Sequence, residues 1–352
     1  MSTTVKASVL HGAKDIRLES RPLPCLAPDE VLVAVKSTGI CGSDLHYYSH
    51  FRNGDILVRE PLTLGHESAG VVTEVGSAVT NLQPGDHVAL EVGLPCGQCE
   101  LCGQGRYNIC REMKWCHKLP QGVSLDLGAL VEPLSVAKHA QDRAGLPAGS
   151  TVLVFGAGAV GLLCAAMSKV AGAKTVVIAD IQEDRVKFAV ENKFADVSVV
   201  VPMKRPETIA EKLEFAKEVA EMVKKTEVGG QTVGEVNAVF ECTGVESCLQ
   251  ASIYSTAPGG KIMLIGMGNP IQTLPISAAA LREVDLVGVF RYANTYGPVI
   301  ELLASKNPLL PDLNKLMTHR YSGLENIPKA FDMAAKVKDE QGNLVLKVMV
   351  DM

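Results

Sequence analysis

The chain has 352 residues, 47% of them hydrophobic and 21% charged, with a formal net charge of −5. That length and apolar content exclude a disordered chain and allow one large core or two ordinary ones, so two domains are the starting expectation. The charge excludes nucleic acid as a partner, and with no run of about 18 apolar residues and no signal-like stretch in Met1-Ser2-Thr3-Thr4-Val5-Lys6, no membrane span is expected and the expected address is the cytoplasm.

Residues 1 to about 90 read as short β segments broken by glycine and proline, among them Glu30 to Val35 and Gly70 to Gly76, an antiparallel, barrel-like pattern. Two segments inside it can carry hard chemistry, Gly39-Ile40-Cys41-Gly42-Ser43-Asp44-Leu45-His46 and Gly65-His66-Glu67. Cys41 and His66 offer sulfur and nitrogen, and a carboxylate from Glu67 or Glu132 completes a three-ligand site with one open position, as catalytic zinc requires. A Lewis acid held in this way favours the alkoxide of a bound alcohol, which can then release hydride to a nicotinamide. Ser43 is placed to relay the alcohol proton, His46 to pass it toward solvent, and Asp44 to bond the second nitrogen of His66.

Ten cysteines in a chain of this length read as metal ligands sooner than as a disulfide framework. Cys96, Cys99, Cys102 and Cys110 fall within fifteen residues, close enough to surround one ion. A shell of four thiolates leaves no vacancy for substrate, so structural zinc is expected there, with an iron-sulfur cluster as the rival. Cys25, Cys164, Cys242 and Cys248 are isolated and read as small core residues. Glu132 sits in the apolar run Ala129 to Leu134, where an unpaired charge would be costly, so a place near metal is expected for it.

After about Ala148 apolar strands alternate with longer helical stretches, the signature of βαβ units around a parallel sheet. Strands are expected at 151–155, 175–180, 238–242, 261–266 and 285–289, and helices at 160–171 and 206–225. Gly156-Ala157-Gly158-Ala159-Val160-Gly161 fits G-x-G-x-x-G between the first strand and the first helix, and Asp180 ends the next strand 19 residues after Gly161. The glycines give a tight turn, an open backbone and a close helix–sheet contact, leaving amide groups at a helix N-terminus for a pyrophosphate. Asp180 would accept bonds from the adenosine ribose and repel an extra phosphate, which predicts NAD over NADP. Arg185 is placed to lie over the adenine or to soften that repulsion. The last apolar run, Leu344 to Val350, reads as a strand, and His117, His139 and His319 show no partner pattern and read as structural.

Cys41-Gly-Ser-Asp, Gly65-His-Glu, the four-cysteine lobe, Glu132-Pro-Leu-Ser-Val, Gly156-Ala-Gly-Ala-Val-Gly and Phe290-Arg291-Tyr292 occur in the order seen in sorbitol, xylitol and arabinitol dehydrogenases. Nearly the whole chain therefore resembles the polyol branch of the zinc-dependent medium-chain dehydrogenases. The resemblance implies a GroES-like catalytic domain at 1–147 and 290–352 with a Rossmann domain, a doubly wound parallel sheet, inserted at 148–289, and a homotetramer. It implies catalytic zinc on Cys41, His66 and Glu67, with Glu132 bonded through water or serving as an alternative ligand. It implies polyol contacts at Tyr47, Arg291 and Tyr292, and NAD neighbours at Val160, Ile265, Gly266, Met267, Val289 and Phe290. A substrate with many hydroxyls suits the polar side chains of Glu67, Arg291 and Tyr292. Between Cys110 and Lys118 the family carries a longer segment, of which only Arg111 to His117 remains here. Three readings follow: oxidation of a polyol to the ketose, oxidation of simple secondary alcohols or vicinal diols, and binding of NAD and zinc with impaired turnover.

Overall fold

In the computed structural model, which describes residues 4–54, 56–93, 95–110, 115–118 (backbone only) and 123–352, the valine-rich strand Val31–Gly39 pairs antiparallel with Glu67–Val75, in a register that ends on Gly39↔Glu67. β-branched residues suit a pleated, half-buried surface, and here they centre a six-stranded sheet. Its order is Met317–Ser322, Lys347–Asp351, Val31–Gly39, Glu67–Val75, His87–Glu91, Trp115–Lys118. The antiparallel pattern expected of residues 1 to about 90 holds, while the C-terminal pair is parallel because the helix Ile327–Ala334 crosses between its strands. That helix packs inward: the Phe331 and Tyr48 rings stack with centroids 4.7 Å apart. The short segment after Cys110 lies partly outside the described residues, as does the side chain of His117.

The chain divides into two compact units, Met1–Glu132 with Tyr296–Ser305 and Leu313–Met352, and Pro133–Thr295 with Lys306–Asp312. The second unit holds six parallel strands in the order Val197–Val200, Thr175–Asp180, Thr151–Phe155, Val236–Glu241, Thr256–Leu264, Asp285–Gly288. Its order reverses between Thr151–Phe155 and Val236–Glu241, which is where open sheets of this kind bind nucleotides. Several boundaries differ from expectation by a few residues, two of them for evident local reasons. The helix expected from residue 206 begins at Ile209, because Thr208 Oγ1 accepts from the Glu211 amide at 3.2 Å and Glu211 accepts from the Thr208 amide at 3.0 Å. The strand expected to end at Gly266 ends at Leu264, because Ile265 and Gly266 both donate to the Glu241 carbonyl, at 3.0 and 2.9 Å. Among the described residues no helix is long and apolar enough to cross a membrane.

Candidate active site and metal centres

The Gly39↔Glu67 end of the ladder sets the first site. Glu67 is 1% exposed, and its carboxylate lies so close over Gly39 that a Cβ there would meet Oε2 at 2.2 Å. Two residues on, Cys41 caps the helix Gly42–His50, and a Cys41 Sγ, a His66 ring nitrogen and a Glu67 oxygen lie within 4.8 Å of one another. Of the two carboxylates left open by the sequence, Glu67 is therefore the one grouped with Cys41 and His66. Glu132 is buried in the first turn of Val131–Ala144 and acts on this neighbourhood through its charge, which reaches Lys347.

Asp44, 3% exposed, fixes the geometry. It accepts from the Cys41 amide at 3.2 Å, from the Gly65 amide at 3.3 Å and from His66 Nδ1 at 3.2 Å. With Nδ1 committed to Asp44, Nε2 is the nitrogen offered to a metal. Ser43 Oγ lies 3.4 Å from that Nε2. His46, one helical turn beyond Ser43, is exposed, with its ring centroid 6.2 Å from that of His50. Burial opposes a charged His66, but its bonds to Asp44 and Cys41 outweigh burial and raise its pKa well above the ordinary value. Sulfur, nitrogen and oxygen donors that draw positive charge to one point fit zinc.

A residue missed by sequence reasoning completes this surround. Lys347, 4% exposed, reaches Glu67 from the C-terminal strand, its Nζ donating to the two carboxylate oxygens at 2.7 and 2.6 Å and to the Ile40 carbonyl at 3.2 Å. Burial works against its charge, and the negative charges of Glu67, Cys41 and Glu132 prevail, so its pKa is raised. The available signal was a lone lysine inside the apolar run Leu344 to Val350.

Cys96, Cys99, Cys102 and Cys110 converge as expected of a tetrahedral shell. Their sulfurs stand 3.5 Å (Cys99–Cys102), 3.6 Å (Cys96–Cys110), 3.9 Å (Cys96–Cys102) and 3.9 Å (Cys99–Cys110) apart. A tetrahedron with Zn–S bonds of about 2.3 Å has edges of about 3.8 Å, whereas a disulfide needs about 2.05 Å. The Cys96 amide donates to Cys110 Sγ at 3.3 Å and the Cys99 amide to Cys96 Sγ at 3.4 Å, support that thiolates need. Cys102→Ser is expected to release one zinc ion per chain and lower the unfolding temperature while the other ion stays bound; elemental analysis and a thermal scan check it. Of the isolated cysteines, Cys164 is fully buried, but Cys25 is exposed and is no core residue, since it follows the end of the strand Asp15–Pro22.

In the second unit, Gly156 adopts φ +95°, and a Cβ on Gly161 would sit 1.8 Å from the Gly156 carbonyl oxygen, so helix and turn meet backbone to backbone. Nothing lies within 4 Å of a Cβ built on Gly158. That open backbone at the start of the helix Ala159–Val170, which Val160 enters, fits an approaching pyrophosphate. Asp180 Oδ2 accepts from the Ala157 amide at 2.7 Å and Oδ1 from the Gln182 amide at 2.9 Å, which ties the acidic strand end to the glycine turn and leaves carboxylate lone pairs for ribose hydroxyls. Arg185 lies half-buried in the first turn of Glu183–Glu191.

The remaining expected contacts are spread over both units. Tyr47 is half-buried beside the Tyr48–Phe331 core. In the second unit Ile265, Gly266 and Val289 are half-buried and Met267 is exposed, with Val289 tied to the sheet by its amide bond to the Leu264 carbonyl at 3.0 Å. Phe290 and Arg291 are exposed, the Arg291 guanidinium 5.6 Å from the Phe290 ring centroid, while Tyr292 is fully buried. His319, read as structural, has Nε2 3.2 Å from Asp339 Oδ2 and Nδ1 3.0 Å from the Thr318 hydroxyl.

A nucleotide-type sheet with its own glycine turn, in a chain that also gathers sulfur, nitrogen and oxygen donors about one point, is the construction of a zinc-binding dehydrogenase. Comparison with known proteins agrees: residues 27–163 match the alcohol dehydrogenase GroES-like domain and residues 159–305 the zinc-binding dehydrogenase domain. The chain is 42% identical over 347 residues to the sorbitol dehydrogenase of Gallus gallus, covering 93% of this chain and 92% of that protein. It is 40% identical over 362 positions to the sorbitol dehydrogenase of Homo sapiens, covering 97% and 94%. The chain belongs to the sorbitol dehydrogenase family of zinc-dependent medium-chain dehydrogenases. The human alignment spans 362 positions against 352 residues here, so this chain lacks residues that the relative carries. In structure it is similar to the 2R,3R-butanediol dehydrogenase of Bacillus subtilis (TM-score 0.78, 28% identity, 99% of both chains) and to an oxidoreductase/dehydrogenase of unknown specificity from Escherichia coli (TM-score 0.80, 29% identity, 99% of both chains).

Proposed function

We propose that the chain oxidises a secondary hydroxyl of a sugar alcohol such as sorbitol or xylitol to the ketose, with NAD as hydride acceptor. The observation that carries this reading is the grouping of Cys41, His66 and Glu67, three donors of three kinds that leave a fourth position for a hydroxyl. When bound, zinc supplies the positive charge that makes that hydroxyl acidic, and NAD takes the hydride. Cys41, His66 and Glu67 would hold the ion, and the buried carboxylate of Glu132 would serve it through water or as an alternative ligand. Ser43 Oγ takes the alcohol proton and His46 carries it toward solvent, two positions one turn apart on the same helix face. Tyr47 and Arg291 are the accessible polyol contacts, whereas Tyr292, expected beside them, is fully buried.

Cys96, Cys99, Cys102 and Cys110 would hold the second zinc. Gly156, Gly158, Val160 and Gly161 receive the pyrophosphate of NAD, Asp180 and Arg185 the adenosine, and Ile265, Gly266, Met267, Val289, Phe290 and Arg291 the nicotinamide half. Residues 1–147 and 290–352 form the GroES-like catalytic domain and 148–289 the Rossmann domain. Asp180→Ala is expected to lower the NAD:NADP ratio of kcat/KM by about tenfold or more, since the charge that repels the extra phosphate is gone; steady-state kinetics with both cofactors check it.

A vicinal-diol dehydrogenase is the second reading, favoured by the likeness to the butanediol enzyme. A substrate panel decides: kcat/KM with NAD should be greater for sorbitol and xylitol than for 2,3-butanediol, and the reverse order would install the second reading. Turnover of no alcohol beside tight NADH binding would point to an impaired chain, as the shortened alignment allows. A homotetramer is supported by the edge position of Asp285–Gly288 and by exposed Ile271 and Leu281 in the same unit. The cytoplasm is supported by thiols set at metal-ligating distances with no disulfide among the described cysteines.

A further inference from the structure

Glu241 is a buried acid with no part in the chemistry above. It ends the strand Val236–Glu241 and is 2% exposed, yet among the described residues no cation bonds its carboxylate. Oε1 accepts from the Thr243 amide at 2.8 Å, from the Thr243 hydroxyl and from the Gly244 amide at 3.2 Å, and Oε2 accepts from the same Gly244 amide at 2.9 Å. Its main-chain carbonyl takes the amides of Ile265 and Gly266 at 3.0 and 2.9 Å. One residue thus ties down the turns that follow two neighbouring parallel strands.

Those turns leave no slack. A Cβ on Gly266 would lie 2.1 Å from the Gly244 amide nitrogen, and one on Gly268 would lie 1.9 Å from the Gly244 carbonyl oxygen. The Thr243 methyl also limits the glycine turn, since a Cβ on Gly156 would meet it at 2.9 Å. Both turns stand at the carboxyl ends of the strands, on the far side of the sheet reversal from Asp180. A dinucleotide that straddles the reversal with its adenosine on Asp180 must lay its other half over them.

We propose that Glu241 is a positioning residue for the cofactor, its carboxylate setting the Thr243–Gly244 turn and its carbonyl the Ile265–Gly266 turn on which the nicotinamide half of NAD rests. Burial raises its pKa while the Thr243 and Gly244 donors oppose that rise, so the acid is kept at a desolvation cost that a mere space-filler would not need. The inference rests on the NAD reading above.

The test is binding to the zinc-loaded full chain of NADH, which uses both halves of the site, and of AMP, which uses only the adenosine half. Glu241→Gln keeps the shape but turns one oxygen into an amide that faces backbone N–H donors. It is expected to weaken NADH about tenfold, as unsatisfied buried donors do, and to leave AMP within about twofold. Thr243→Val removes only the hydroxyl, which also accepts from the Val245 amide at 3.0 Å, and is expected to show the same split at smaller size. Unchanged NADH binding in both variants, or equal weakening of NADH and AMP, would overturn the proposal. An unmodified chain that binds AMP but not NADH would instead defeat the NAD reading itself.

Discussion

Cys41→Ser is expected to lower kcat/KM for polyols by about a thousandfold or more and to leave one zinc ion per chain in place of two. The size follows from what a Lewis acid contributes: several kcal/mol of charge stabilisation at a developing alkoxide, each 1.4 kcal/mol worth about tenfold in rate. Serine cannot offer a thiolate at neutral pH, which leaves His66, held in its tautomer by Asp44, and Glu67 as the grouped donors. Two donors in place of three hold zinc weakly. The four-cysteine lobe lies outside this group and keeps its own ion, so elemental analysis beside steady-state kinetics separates local loss of metal from general unfolding. Loss of both ions, or near-normal turnover with one, would contradict the assignment.

Lys347→Met is expected to destabilise the zinc-free chain by about 3–5 kcal/mol, the usual cost of breaking a buried ion pair from one side. Lys347 and Glu67 are 4% and 1% exposed, so methionine, similar in volume, leaves a buried carboxylate without the cation that bonds both its oxygens. Zinc supplies a counter-charge to the same carboxylate, so the deficit should shrink when the protein is loaded with metal. Thermal scans with and without zinc check both parts. An equal loss in the two states would mean that Lys347 supports the sheet and has no special tie to Glu67.

What could be read in the sequence was what is local in it. The lobe of Cys96 to Cys110 and the turn Gly156 to Gly161 are decided by spacing within a few residues, and Asp180 by the strand that directly follows. Cys41 and His66 were legible as ligand types, but their meeting depends on the Gly39↔Glu67 register, which no single segment encodes. Lys347 was out of reach for the same reason: its partner lies 280 residues away in the chain, on another strand. Glu241 was hidden differently, since apart from the Thr243 hydroxyl its bonds go to backbone amides that every sequence possesses. The start of the helix at Ile209 could have been read from Thr208 and Glu211, a capping pair standing in plain sight.

Anomalous scattering at the zinc absorption edge, from crystals of the metal-loaded protein, bears most directly on the central assignment. Two peaks per chain are expected, one inside the sulfurs of Cys96, Cys99, Cys102 and Cys110 and one bounded by Cys41 Sγ, His66 Nε2 and a Glu67 oxygen. A protein that turns over polyols while showing no peak at the second position would contradict it.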